Sequence, residues 1–112
     1  MNCIVTAGPT YEPLDDVRRL TNFSTGRLGT ELANHLTARG HRVTLLISES
    51  AICAGARKAQ TVKTFSTTAD LRAKLKSFSG KKVDAIFHAA AVSDFAFGKI
   101  FAQNDAGEFV AL

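Results

Sequence analysis

Four short apolar runs, separated by two helical patterns and one long connection, constrain this chain more than any other feature. Residues 2–7 hold Ile4, Val5 and Thr6 and stop at Gly8-Pro9. Residues 41–47 hold Val43, Leu45, Leu46 and Ile47, residues 61–65 alternate weakly, and residues 83–89 read VDAIFHA. Such runs, bounded by turn residues, read as strands, and those without alternation as strands buried on both faces. Residues 61–65 fit an edge position.

Between the first two runs, Leu28, Leu32 and Leu36 recur at i, i+4 and i+8 with Ala33 beside them, which predicts a helix from Gly26 to about Arg39. Ser24 or Thr25 is expected to cap its start and Gly40 to stop it. Thr67-Thr68-Ala69-Asp70 has the T-x-x-D form of a second helix start. Leu71, Leu75 and Phe78 then mark its apolar face, with Gly80 at its end. Residues 48–59 read as a loop with room for one helical turn. After Phe97 the signal weakens, with a turn expected at 104–107 and a strand beginning in 108–112.

Strands alternating with helices imply parallel pairing through right-handed crossovers. The expected fold is a single α/β domain over residues 1–112, with a three-layer Rossmann-like parallel sheet. The predicted strand order is 3-2-1-4, with helices on both faces. Ligands of such sheets bind beyond the carboxyl ends of the strands at the switch point. The first and fourth strands flank that point, so residues 8–29 and 89–95 are expected to face each other across one site.

Composition excludes several classes. Apolar residues make up 46% and charged residues 21%, as in ordinary globular chains. The apolar runs are too short to span a membrane, and no signal-peptide pattern follows Met1. The expected location is cytoplasmic. Cys3 reads as a buried small hydrophobe, and neither it nor Cys53 belongs to a C-x-x-C pair. With His35, His41 and His88 scattered, no zinc site is predicted and no residue is assigned as a direct metal ligand. Residues 51–82 are basic apart from Asp70, but no aromatic residues interleave as on a nucleic-acid platform. They read as a solvated helix face and its flanks.

The connection from Gly8 to Gly29 is far longer than the usual strand-to-helix link of about two to six residues. It carries both prolines and the only tyrosine of the chain. Ser24-Thr25-Gly26-Arg27-Leu28-Gly29 stands at a helix start, where free backbone N–H groups suit a phosphate. An ordinary capped helix with two glycines explains the same residues as well. The motif is neither the dinucleotide fingerprint nor the P-loop, because no G-x-G-x-x-G follows the first strand and no G-K-[ST] is present. Asn22 can donate to a developing oxyanion or simply cap a turn. Arg18 and Arg19 can clamp a phosphate or carboxylate, or pair with Asp15 and Asp16. Asp94 suits a ribose hydroxyl or a water-held magnesium ion, and packing explains the alanines before it equally well. His88 reads as a hydrogen-bonded strand histidine and Glu49 as an ordinary loop carboxylate.

Taken together and in order, IVTAGPT at 4–10, Glu12-Pro13-Leu14-Asp15, Val17-Arg18, Asn22, Ser24-x-Gly26-x-x-Gly29 and AAAVSDF at 89–95 resemble phosphopantothenoylcysteine synthetase. That enzyme is the synthetase half of the bifunctional coenzyme A biosynthesis flavoprotein. The resemblance covers the chain to about residue 95. It implies a ligase that joins 4′-phosphopantothenate to cysteine. CTP or ATP serves as cosubstrate with Mg2+, and the reaction passes through an acyl-nucleotidylate. Asn22 would act on the activated acyl group, with Arg18 beside it on the substrate. Gly8, Ser24, Thr25, Gly26, Gly29, Ala90, Asp94 and Phe95 would hold the nucleotide. A homodimer is also implied.

The chain departs from the family at Thr25 and Leu28, where S-S-G-x-M-G is usual, and at Phe23. The family also continues into a lysine-rich portion beyond this point, and Lys99 does not match those lysines by context. The chain is therefore expected to be an incomplete synthetase domain, with no decarboxylase domain before Met1. The rival expectations are a non-catalytic Rossmann-like nucleotide-binding module and, behind it, an NAD(P)-dependent oxidoreductase.

Overall fold

The computed structural model describes residues 1–98 and 101–111; Lys99 and the last residue of the 108–112 run lie outside them. The central sheet comprises β1 (Asn2–Ala7), β4 (Arg42–Ser48), β5 (Thr61–Phe65) and β6 (Ala85–His88). Their order is β5-β4-β1-β6, all parallel, which is the predicted 3-2-1-4. In register, Val5 stands between Leu45 and Phe87. Helix α1 (Arg27–Ala38) links β1 to β4, and α2 (Thr68–Lys76) links β5 to β6.

The strand period of two sends alternate residues to opposite faces. Cys3, Val5, Ala7, Val43, Leu45 and Ile47 pack with Ala33 and Leu36 of α1. Ile4, Leu46 and Phe65 pack with Leu71 of α2 on the other side, with Leu75 and Phe78 beside them. Each helix therefore covers its own face, giving the three layers expected. Gly29 makes the first layer possible. A Cβ there would lie 2.4 Å from Ala7 Cβ and 2.7 Å from the Thr6 carbonyl oxygen.

Several expectations need correction. Leu28 is 72% exposed and does not share the face of Leu36. Each four-residue step overshoots a full helical turn by about 40°, so the two steps from Leu28 to Leu36 drift about 80° off one face. The buried positions are Gly29, Thr30, Ala33 and Leu36. Neither Ser24 nor Thr25 is the N-cap of α1. Gly26 holds that position at φ 83° with no side-chain cap bond, while Thr25 Oγ1 accepts from the Arg27 N–H at 3.3 Å. Helix α2 is capped by Thr67 as predicted, its Oγ1 accepting from the Asp70 N–H at 3.1 Å. It stops at Lys76, short of Gly80. Residues 48–59 contain no helix, only a turn in which the Ala51 N–H donates to the Ser48 carbonyl at 3.1 Å.

The connection from Gly8 to Gly29 is not an irregular loop. It contains an antiparallel hairpin, β2 (Tyr11–Pro13) and β3 (Arg19–Thr21). Asp15 closes its tip, its Oδ1 accepting from the Val17 N–H at 3.0 Å and the Arg18 N–H at 2.7 Å. A second hairpin, β7 (Phe101–Gln103) and β8 (Phe109–Ala111), lies around the turn expected at 104–107.

Candidate functional site

The parallel pairing of β1 and β6 continues past both strand ends. Ala91 N–H donates to the Gly8 carbonyl at 2.9 Å, and Thr10 N–H donates to the Ala91 carbonyl at 3.1 Å. The two segments expected to face each other are thus stitched together as far as Ala91. Beyond it no backbone-to-backbone bond joins them among the described residues, and Thr10 Oγ1 holds Ser93 instead. There Leu20, Thr21 and Asn22 face Val92, Ser93, Asp94 and Phe95 across a recess of about 190 Å³.

Asn22 has a fixed orientation. Its Nδ2 donates to the Ala91 carbonyl at 3.0 Å, and its Oδ1 accepts from the Ser24 N–H at 3.0 Å. Both partners are backbone groups with only one possible role, so the amide cannot be flipped. One of the two Nδ2 hydrogens is spent on Ala91. The other is uncommitted among the described residues, and the side chain is exposed.

The glycine turn sits against the body of the protein. Gly8 and Gly26 both have positive φ, at 85° and 83°. A Cβ on Gly26 would lie 3.0 Å from Ala51 Cβ and 3.5 Å from Gly8 Cα, so these glycines let two backbone turns stack. Thr30 N–H makes the first helical bond of α1, to the Gly26 carbonyl at 3.1 Å. The amides of Leu28 and Gly29 lie ahead of it, at the positive end of the helix dipole.

The remaining candidates fall elsewhere. Thr25 lines a different groove, of about 740 Å³, between α1 and residues 52–58. Ala90 packs against the core cluster of Ile4 and Leu46. Arg18 lies at the hairpin tip, where its Nε donates to Asp15 Oδ2 at 2.8 Å. That guanidinium, with the Val17 amide, holds the Asp15 carboxyl below the usual carboxylate range. His88 Nδ1 is 2.7 Å from Thr6 Oγ1, as a strand histidine would be. Glu49, which an NAD enzyme would use for a ribose, accepts from Tyr11 Oη at 2.9 Å.

The large groove was not foreseen. Arg27, Glu31 and Lys58 line it, with Thr30, Cys53 and Ile52. Its rim is ordered by Asn34, which donates to the Ala56 carbonyl and accepts from the Lys58 N–H, both at 2.9 Å. Its signal in the sequence is the lack of a helical pattern in residues 48–59, which leaves the crossover from β4 to β5 without a covering helix. Among the described residues, no three His, Cys, Asp or Glu side chains converge as metal ligands. No helix there is long and apolar enough to cross a membrane.

Residues 1–104 match the family model of the DNA/pantothenate metabolism flavoprotein C-terminal domain. The chain belongs to this family. A coenzyme A biosynthesis bifunctional protein CoaBC from Thermococcus kodakarensis is 38% identical over 92 residues, covering 82% of this chain and 22% of the relative. A solved DNA/pantothenate metabolism flavoprotein from Streptococcus pneumoniae superposes with a TM-score of 0.74 at 31% identity. The match covers 84% of this chain and 41% of the other. The C-terminal domain of a CoaBC protein superposes with a TM-score of 0.68 at 26% identity, covering 99% and 52%. The chain thus spans about a quarter of the length of the curated relatives it matches.

Proposed function

We propose that this member of the family supplies the nucleotide- and acyl-binding part of a phosphopantothenate–cysteine ligase in coenzyme A biosynthesis. The observation that carries the proposal is the Asn22 amide, locked by Ala91 and Ser24 with one N–H left to donate at the mouth of a recess. A donor fixed before the reaction costs no reorganisation when charge develops on an acyl oxygen. Family membership and the names of the relatives support the pathway.

In the proposed reaction the carboxylate of 4′-phosphopantothenate attacks the α-phosphorus of CTP or ATP, and pyrophosphate leaves. The cysteine amine then attacks the acyl carbon and the nucleoside monophosphate departs. Asn22 Nδ2 donates to the acyl oxygen in both steps. The amides at the start of α1 take phosphate oxygens, and Phe95 and Asp94 bound the nucleotide. Asp94, exposed at the recess, is the carboxylate that would hold Mg2+ through water, and the ion would neutralise phosphate charge. The proposed working form is a cytoplasmic homodimer.

The test is pyrophosphate release from CTP or ATP with 4′-phosphopantothenate, cysteine and Mg2+, alongside binding of CTP, ATP and NADP. Turnover that disappears in Asn22→Ala supports the ligase. CTP binding without pyrophosphate release overturns the activity and leaves a nucleotide-binding module. Preference for NADP over both triphosphates overturns the whole reading.

A further inference from the structure

Thr10 stands where every segment around the recess crosses. It is fully buried. Its Oγ1 accepts from the Ser93 N–H at 2.8 Å, and lies 3.1 Å from Ser93 Oγ and 3.0 Å from Thr68 Oγ1 at the start of α2. Its carbonyl accepts from Thr21 Oγ1 at 3.0 Å, beside Asn22. Its N–H shares the Ala91 carbonyl with the Asn22 amide.

The far wall depends on this one hydroxyl. Strand β6 ends at His88, and the last bridge to the β1 side is Pro9 to Ala91. Among the described residues, the hydrogen bonds that tie 92–95 to the rest of the protein all end on Thr10 Oγ1. Val92 adds only apolar packing against the core. Asp94 and Phe95 are exposed, and they follow wherever Ser93 is held.

We infer that Thr10 is a positioning residue. Its hydroxyl sets the place of Ser93, Asp94 and Phe95 relative to the Asn22 amide, and so sets how well the recess fits its ligand. The identity of that ligand rests on the ligase reading above; the positioning itself does not. Valine has the shape of threonine but leaves the half-buried Ser93 N–H without its acceptor. Serine keeps the acceptor and loses only a methyl group. A donor that loses its partner beside an apolar side chain is left to find another, so the wall moves in Thr10→Val.

The experiment compares wild type, Thr10→Val, Thr10→Ser and a core control remote from the recess, Val43→Ala, in CTP binding and pyrophosphate release. Thr10→Val is expected to raise KM for CTP or 4′-phosphopantothenate roughly tenfold or more. Thr10→Ser should recover to within about threefold, and Val43→Ala should leave KM unchanged while lowering Tm. Wild-type KM in Thr10→Val overturns the proposal. So does failure of the serine variant to recover, or the same KM loss in Val43→Ala. If wild type neither binds CTP nor turns over, the ligase reading falls, and amide hydrogen exchange decides the positioning claim instead. Faster exchange in Thr10→Val confined to residues 93–95 supports it. Unchanged exchange, or a uniform rise across β1 and β4, overturns it.

Discussion

Asn22 Nδ2 and the carbonyl oxygen of Ala91 are 3.0 Å apart, joining two points that lie 69 residues apart in the chain. The same amide accepts from Ser24, so its two ends are fixed independently. Removing the side chain should therefore separate catalysis from stability. In Asn22→Ala, pyrophosphate release is expected to fall about 10²–10³-fold, the effect of losing an oxyanion donor. Stability should fall by only about 1 kcal/mol, because the bonds lie at an exposed site. Asn22→Asp should be as inactive and less stable, since it sets a carboxylate oxygen against the Ala91 carbonyl. Rate measurements and urea unfolding on the same preparations check both.

Gly29 and Gly40 test packing against backbone conformation. A Cβ at Gly29 runs into Ala7 Cβ at 2.4 Å and the Thr6 carbonyl at 2.7 Å, and neither backbone can retreat easily. Gly29→Ala should lose about 3 kcal/mol, at the upper end for overpacking. Gly40 has φ +88° and open space around its missing Cβ. Gly40→Ala should lose about 1–2 kcal/mol from the left-handed conformation alone. Urea midpoints should rank the two in that order. The reverse order would mean that α1 can lift off β1 cheaply.

The sheet was legible because burial on two faces leaves a plain mark. Val5, Leu45 and Ile47 belong to runs with no polar alternation, and helix patterns between them leave few topologies. Asn22 and the Asp94–Phe95 pair, from opposite ends of the motif set, line one recess. What the sequence hid is local. The β2–β3 hairpin pairs only three residues on each side, Pro13 among them, so no periodicity can reveal it. Its one sign was Asp15, a turn former whose Oδ1 collects two backbone amides. Leu28 misled because leucine spacing alone does not say which side of a drifting stripe meets the sheet. The partner of Gly26 was also out of reach. A glycine before a helix suggests a close ligand, but here the close neighbours are Ala51 and Gly8.

Asp70 gives the fold a defined acid response. Its carboxyl is held below the usual range first by the Lys74 ammonium, 2.7 Å away, and then by the Ser66 amide and hydroxyl. A carboxyl lowered in the folded state stabilises at pH values above its unfolded pKa, about 3.9, and loses that contribution as pH falls through the folded value. The pair is partly exposed, so its contribution is about 0.5 kcal/mol. Asp70→Asn should therefore be less stable than wild type by a constant amount from about pH 5 to 8. The gap should narrow below about pH 4 and close near pH 2. Urea unfolding of both proteins across this range checks the sign. A gap that widens in acid would contradict the assignment.

Cys3 and Cys53 should react as two kinetically distinct thiols. Cys3 is 2% exposed within β1, enclosed by the core under α1. Cys53 is half-buried in the groove beside α1, with Thr30 Oγ1 3.6 Å from its sulfur. Thiol exchange needs access of the attacking sulfur to the reagent, so burial protects Cys3 until the sheet opens. A small aromatic disulfide at pH 8 should titrate about one thiol per chain under native conditions, and the second only in denaturant. Cys53→Ser should remove the fast phase and leave the slow one. Because Cys3 reports opening of β1, its rate should rise sharply in Gly29→Ala, where α1 no longer seats on that strand. Cys53, reached from the groove without unfolding, should change little. Equal acceleration of both thiols would show that the groove opens and closes with the sheet rather than standing open to solvent.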